Sequence, residues 1–142
     1  MYKSILLPVD LGHTSSWEKA APQAVALAKL SNAKIHLLSV VPDFGMPVVG
    51  TFFPPDFAEK AMQSSAEQLS ALAAEIIPED LLAQVHVAQG SAYQEILNTA
   101  RKNGCDLIVM ASHRPEMSDY LLGPNAARVV RHAEQSVMIV RN

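Results

Sequence analysis

Five short apolar runs, each separated from the next by a segment of helical periodicity, constrain this 142-residue chain more than any other feature. They are SILLPV (Ser4 to Val9), KIHLLSVV (Lys34 to Val41), Leu82 to Ala88, Leu107 to Met110, and Ser136 to Val140. Three are almost continuously apolar, which a strand buried on both faces requires and a half-exposed strand does not. Strictly alternating strand and helix predicts an α/β fold with an open parallel sheet covered by helices on both faces. In such sheets ligands bind beyond the carboxyl ends of the strands, where the strand order reverses. If the first and fourth strands meet there, Pro8, Val9 and Asp10 face Met110, Ala111 and Ser112 across one crevice.

The connecting segments carry their own punctuation. Ser15 or Ser16 is placed to cap a helix whose face runs through Ala21, Ala24, Val25, Leu27 and Ala28. Pro22 demands that this helix either bend or keep its first turn separate. Asp43 to Pro55, rich in Gly, Pro and Phe, is longer than a simple connection needs, and reads as a lid, a contact surface or a self-packed surface loop. Asp56 and Glu59 form a capping-box pattern for a long helix carrying Phe57, Ala61, Leu69, Leu72 and Ile76, which Pro78 ends. Ser91 with Gln94 opens the next helix, which turns Ile96, Leu97 and Ala100 inward and closes at Gly104.

Composition narrows the function. The net charge of −3 gives no electrostatic footprint for nucleic acid, and no run of eighteen apolar residues predicts a membrane span. The N-terminus lacks the plan of a signal peptide, and the lone Cys105 rules out an intrachain disulfide framework, so a cytoplasmic location is expected. Cys105 reads as a small buried filler beside Gly104. Five histidines show no zinc-like spacing, and His36 and His86 fall in different strands, so no metal site is expected. Walker loops, nucleophile elbows and GxGxxG fingerprints are absent, and Ser118 and Asp119 have no histidine placed by sequence to activate them.

The richest stretch is DLIVMASHRPEMSDYLLGPNAA, Asp106 to Ala127. A strand feeds a polar segment, and Gly123 and Pro124 then start a helix as N-cap and first helical residue. Strand end, polar loop and helix start together make a natural anion site. His113 and Arg114 can donate to phosphate oxygens there, or sit on a solvated loop. Asp10 can accept from a ribose hydroxyl, or merely cap its own turn.

The blocks YKSILLPVD, CDLIVMASHRP and LLGPNAARVVRHAEQSVMIVR resemble the universal stress protein family across essentially the whole length, most nearly its short, single-domain F/G-type members. The resemblance implies one domain over residues 1–142, with a five-stranded parallel sheet in the order 3-2-1-4-5 of the adenine nucleotide alpha hydrolase type. It also implies a cytoplasmic, stress-linked homodimer joined through the last strand, Val137 to Val140. Many members bind ATP through a G-x2-G-x9-G-[ST] motif. Its glycines fall here on Ala111, Arg114 and Gly123, with eight residues instead of nine before the last, and its hydroxyl residue becomes Pro124.

Arg114 brings bulk and charge where close backbone approach is the rule, and Pro124 removes an N–H from the phosphate nest. Asn125, Ala126 and their backbone donors remain. The implied roles are Asp10 for ribose; Val9 and Val41 for the adenine wall; Met110 and Ala111 for the sugar; His113, Arg114, Gly123, Asn125 and Ala126 for phosphates. Pro8, Ser112 and Pro124 complete the lining, and Mg2+ accompanies the ATP through phosphate oxygens and water. Two rivals stand beside this reading. One is a dimeric partner-binding module that has lost ATP; the other is slow ATP hydrolysis or autophosphorylation on Ser112 or Ser118, for which no general base is evident.

Overall fold

The computed structural model describes residues 1–42, 56–112 and 124–141. Five strands, β1 (Ser4–Val9), β2 (Lys34–Val41), β3 (Leu82–Gln89), β4 (Leu107–Ser112) and β5 (Ser136–Arg141), form one parallel sheet in the order β3-β2-β1-β4-β5. The helices are α1 (Ala20–Ser31), α2 (Phe57–Ile76), α3 (Ala92–Lys102) and α4 (Pro124–His132). The class and strand order expected from the sequence are those observed; β3 and β5 each run one residue further than the apolar pattern alone marks, and β4 runs two further, to Ser112.

Side-chain parity divides the core in two. Ile5, Leu7, Ile35, Leu37, Leu107 and Val109 point to the face covered by α1 and α2, where Ala20, Ala21, Ala24, Ala28, Leu69 and Leu72 meet them. Leu6, Leu38, Ile108 and Met110 point to the other face, against Ile96 and Ala100 of α3 and Ala126 and Val129 of α4. Both faces of the central strands are therefore dry, which is why those runs do not alternate.

Local chemistry sets the helix ends, not always as the sequence suggests. Pro22 lies in the first turn of α1, where its missing N–H costs nothing, and Thr14–Ser16 forms a separate 3-10 turn. The N-cap of α1 is Lys19, not Ser15 or Ser16. Ser16 Oγ instead accepts the Asp10 N–H at 2.8 Å and shares its hydrogen between the carbonyls of Asp10 (3.0 Å) and His13 (2.8 Å). The box of Asp56 and Glu59 does not close either, because Asp56 turns to Lys60 at 2.9 Å. Ser91 holds the extended N-cap backbone of α3 without a side-chain bond, and Gln94 donates to the Tyr93 hydroxyl instead. Gly104, at φ +62°, ends α3: its N–H bonds Arg101 O and the Cys105 N–H bonds Ala100 O, the paired bonds of a Schellman turn.

The junction of β1 with β4 is unlike the others. At its base, Asp106 N–H donates to Ser4 O, and the Asp106 carboxylate accepts from the N–H groups of Lys3 and Ser4 at 3.0 to 3.2 Å. Even-numbered residues of β1 thus turn their backbone polar groups toward β4. The next positions in that series are Leu6 and Pro8, and Pro8 has no N–H to give. The register runs only through Ile5↔Leu107 and Leu6↔Ile108, although both strands continue. On its other side β1 pairs with β2 from Ser4 to Val9.

Candidate functional site

Where the β1–β4 ladder stops, a cavity of about 320 Å³ opens. It is lined by Pro8, Val9 and Asp10 from the end of β1, Met110, Ala111 and Ser112 from the end of β4, and Pro124, Asn125 and Ala126 from the start of α4. Nine residues singled out in the sequence are therefore brought together by three separate elements. Val41 is not among the lining residues; Val40 and Pro42 are, together with Ser16, Ala92 and Ile96. His113, Arg114 and Gly123, like Ser118 and the segment from Asp43 to Pro55, lie outside the described residues.

Parity explains the exchange of Val41 for its neighbour. Val40 packs on the α3/α4 side with Leu38, whereas its successor points to the opposite side of the sheet. Ser16 could not be found from periodicity, because its place depends on the turn that returns it to Asp10. Ala92 and Ile96 enter because α3 crosses the same sheet face as α4.

Asp10 caps its own turn, one of the two roles open to it. Its Oδ1 accepts the Gly12 N–H at 3.0 Å, an Asx turn, and its Oδ2 lies 2.9 Å from His13 Nδ1. Its side chain nevertheless remains 64% exposed. A carboxylate has about four acceptor sites, so two bonds within the turn orient Asp10 and leave capacity for an outside donor. Among the described lining residues it alone is acidic.

Across the crevice, α4 aims its N-terminus at the cavity. No acidic side chain stands in its first turn, and Arg131 and His132 occupy its last. The positive end of the helix dipole and the N–H groups of Asn125 and Ala126 thus favour an anion on the cavity side. Arg128 sets its guanidinium 5.1 Å from the centre of the Tyr93 ring on α3, a cation–π contact between the two helices. Val129 and Ala126 anchor the same helix in the core. Ser112 is only 2% exposed although it lines the cavity.

Apolar walls, one carboxylate and a helix N-terminus are suited, respectively, to apolar surface, to hydroxyl or N–H donors and to an anion. Comparison with known proteins bears on the family and the fold. Residues 1–141 match the universal stress protein family. This chain belongs to that family. Universal stress protein G of Shigella flexneri is 33% identical over 99% of this chain and 100% of its own length. Among solved structures, the Methanocaldococcus jannaschii universal stress protein MJ0577 shares the fold with a TM-score of 0.79 at 24% identity, covering 100% of this chain and 97% of its own. A universal stress protein solved in complex with cAMP matches with a TM-score of 0.58 at 19% identity, over 99% of this chain and 97% of that one.

Cys105 stands outside this site. Cys105 is 4% exposed, burial pushes its thiol up, and the Ser4 hydroxyl donates to its sulfur, all in keeping with a structural filler. No helix among the described residues is long and apolar enough to cross a membrane.

Proposed function

We propose that this protein binds an adenine nucleotide, ATP with Mg2+, in the crevice between β1 and β4, and acts as a nucleotide-responsive homodimer in the cytoplasm during stress. The observation that carries the reading is the meeting of Asp10, the β4 end and the α4 N-terminus in one cavity. Asp10 would accept from the ribose hydroxyls, Val9 and Val40 would flank the base, and Asn125 and Ala126 would donate to phosphate. The complex of a family member with cAMP supports an adenine nucleotide as the ligand class. Magnesium would reach the site on the phosphates, since Asp10 is the single carboxylate among the described lining residues.

The dimer reading rests on β5. It is paired on one side only, and its Val137, Met138, Ile139 and Val140 are half-exposed, which makes an apolar edge fit to pair with its own copy. Light scattering is expected to give twice the chain mass at micromolar concentration; a monomer throughout would remove this part of the proposal.

Calorimetry of nucleotide-stripped protein with ATP and Mg2+ tests the site. Binding in the micromolar range is expected, weakened at least tenfold in Asp10→Ala, about 1.4 kcal/mol or more. Asp10→Asn keeps an acceptor for the Gly12 N–H while removing the charge, and so separates ribose recognition from collapse of the turn. A folded, stripped protein that binds neither ATP nor cAMP would overturn the nucleotide reading and leave the partner-binding dimer.

A further inference from the structure

A second cavity, of about 550 Å³, lies on the α1/α2 side of the sheet. Trp17, Glu18, Ala21, Pro22 and Val25 line it from the approach and first turns of α1, and Ala74 to Pro78 line it from the end of α2. Its floor is apolar: Ala21 is 2% exposed and Ile77 3%. Glu18 and Glu75 stand on its exposed rim, and no lysine, arginine or histidine is among its described lining residues.

The backbone adds charge of the same sign. α2 ends here, so the negative end of its dipole points at the cavity. Its last turn contains Glu75 and no basic residue. An acidic side chain at a helix C-terminus is unfavourably placed, and a cation beside it relieves both the side chain and the dipole. The indole of Trp17, half-buried against the core, supplies the aromatic surface on which organic cations settle best. An apolar floor, an aromatic wall and a doubly acidic rim complement one chemistry: an apolar body that carries a positive charge.

We propose that this cavity binds a small organic cation, an ammonium or guanidinium attached to an apolar body, independently of the β1–β4 crevice. The apolar body would rest on Ala21, Val25 and Ile77, and the cationic head would lie between Trp17 and the carboxylates of Glu18 and Glu75. The cavity and the crevice are lined by consecutive residues, Trp17 and Ser16, yet share no lining residue.

Trp17 is the chain's single tryptophan and lines this cavity, so tryptophan fluorescence is a probe placed in its wall. The test titrates nucleotide-free, full-length protein with phenethylammonium chloride and, separately, with its neutral counterpart 2-phenylethanol. A saturable change is expected, with the ammonium binding about tenfold more tightly than the alcohol at low salt and losing that advantage as salt rises. The double variant Glu18→Gln/Glu75→Gln changes only exposed side chains and should bind the ammonium about tenfold more weakly, while binding the alcohol unchanged. Amide NMR spectra of that variant check that the fold is kept. Equal affinity for alcohol and ammonium, unchanged affinity in the double variant, or no saturation up to roughly 10 mM would each overturn the proposal. So would a Trp17 emission shift that depends on protein concentration alone, which would show that a second copy fills the cavity.

Discussion

The two ends of the β1–β4 junction are built in opposite ways. At the base, the Asp106 carboxylate accepts the backbone N–H groups of Lys3, just before β1, and of Ser4, its first residue, while the Asp106 N–H bonds Ser4 O, so side-chain bonds add to the ladder there. At the tip, Pro8 turns a nitrogen without hydrogen toward β4, and paired register stops at Leu6↔Ile108. The β2–β3 junction pairs from Ile35 to Val41 and gains a further bond, Gly90 N–H to Val41 O. In this parallel sheet, then, the cavity lies where one ladder stops short, and the same junction is clamped at its other end. The crevice and its clamp are one device.

The largest effect is expected at the point between the two ends. Ile108 is fully buried, sits at the last paired position and packs on the α3/α4 side. Ile108→Ala should cost about 2–5 kcal/mol, through lost transfer energy and the cavity left behind. Urea unfolding measures it as a lower midpoint with an unchanged slope. A cost under about 1 kcal/mol would mean that the junction is not held by packing at this position.

Next in size is the clamp. Asp106→Ala removes the acceptor for the Lys3 and Ser4 N–H groups, which lie at an exposed to half-buried position where water can partly replace it. The expected loss is about 1–2 kcal/mol. Hydrogen exchange should show it locally, as faster exchange at Ser4 and Asp106 than at the β2–β3 pairs. Uniform acceleration through the whole sheet would instead mean that Asp106 acts on global stability and not on this junction.

These contrasts also mark what could be read from the sequence. Continuous apolar runs with helices between them specify the sheet, because a strand buried on both faces has no other composition open to it. Pro8, Asp10 and the Pro124 helix start announce the crevice for equally local reasons. What escaped sequence reading depends on folding back. Ser16 resembles a helix cap until the turn returns its hydroxyl to Asp10, and Val40 replaces Val41 because a single step along a strand reverses the face. Asp106 is an ordinary strand-flanking acid until β1 lies beside it. His36 and His86, fifty positions apart, become neighbours only through the β2–β3 pairing.

That histidine pair gives the third prediction, for the closed junction. One imidazole N–H donates to the bare nitrogen of the other across 2.9 Å, with ring centroids 5.1 Å apart. Burial lowers the pKa of both, and the neighbouring His86 lowers that of His36 further. A folded-state value below the unfolded one means that the unfolded chain takes up protons first. The pair's contribution is therefore full above the unfolded value near 6.5 and is lost as pH falls through the lowered folded values. Thermal unfolding should show a loss of stability between neutral and mildly acidic pH that His36→Gln/His86→Gln does not show. Identical pH profiles for the two proteins would rule the pair out as the cause.

The smallest stability change, and the sharpest test of the comparison, belongs to Pro8. Pro8→Val restores a backbone N–H aimed at β4 in a residue that suits a buried strand, so the ladder can extend one bond toward Ser112. The gain from that bond, about 0.5–1.5 kcal/mol, is offset by the entropy that proline removes from the unfolded chain, about 0.4–1 kcal/mol, so net stability should barely move. The crevice should move instead. Pairing beyond Leu6↔Ile108 draws the ends of β1 and β4 together, and Val9 and Asp10 with them, at the expense of the 320 Å³ between them. The measurement is ATP affinity at unchanged stability, expected to fall several-fold. If Pro8→Val binds ATP as the parent does, while exchange shows the added N–H protected, then the gap in the ladder does not set the width of the site. Packing between α3 and α4, through Arg128 and Tyr93, would then be what holds the crevice open.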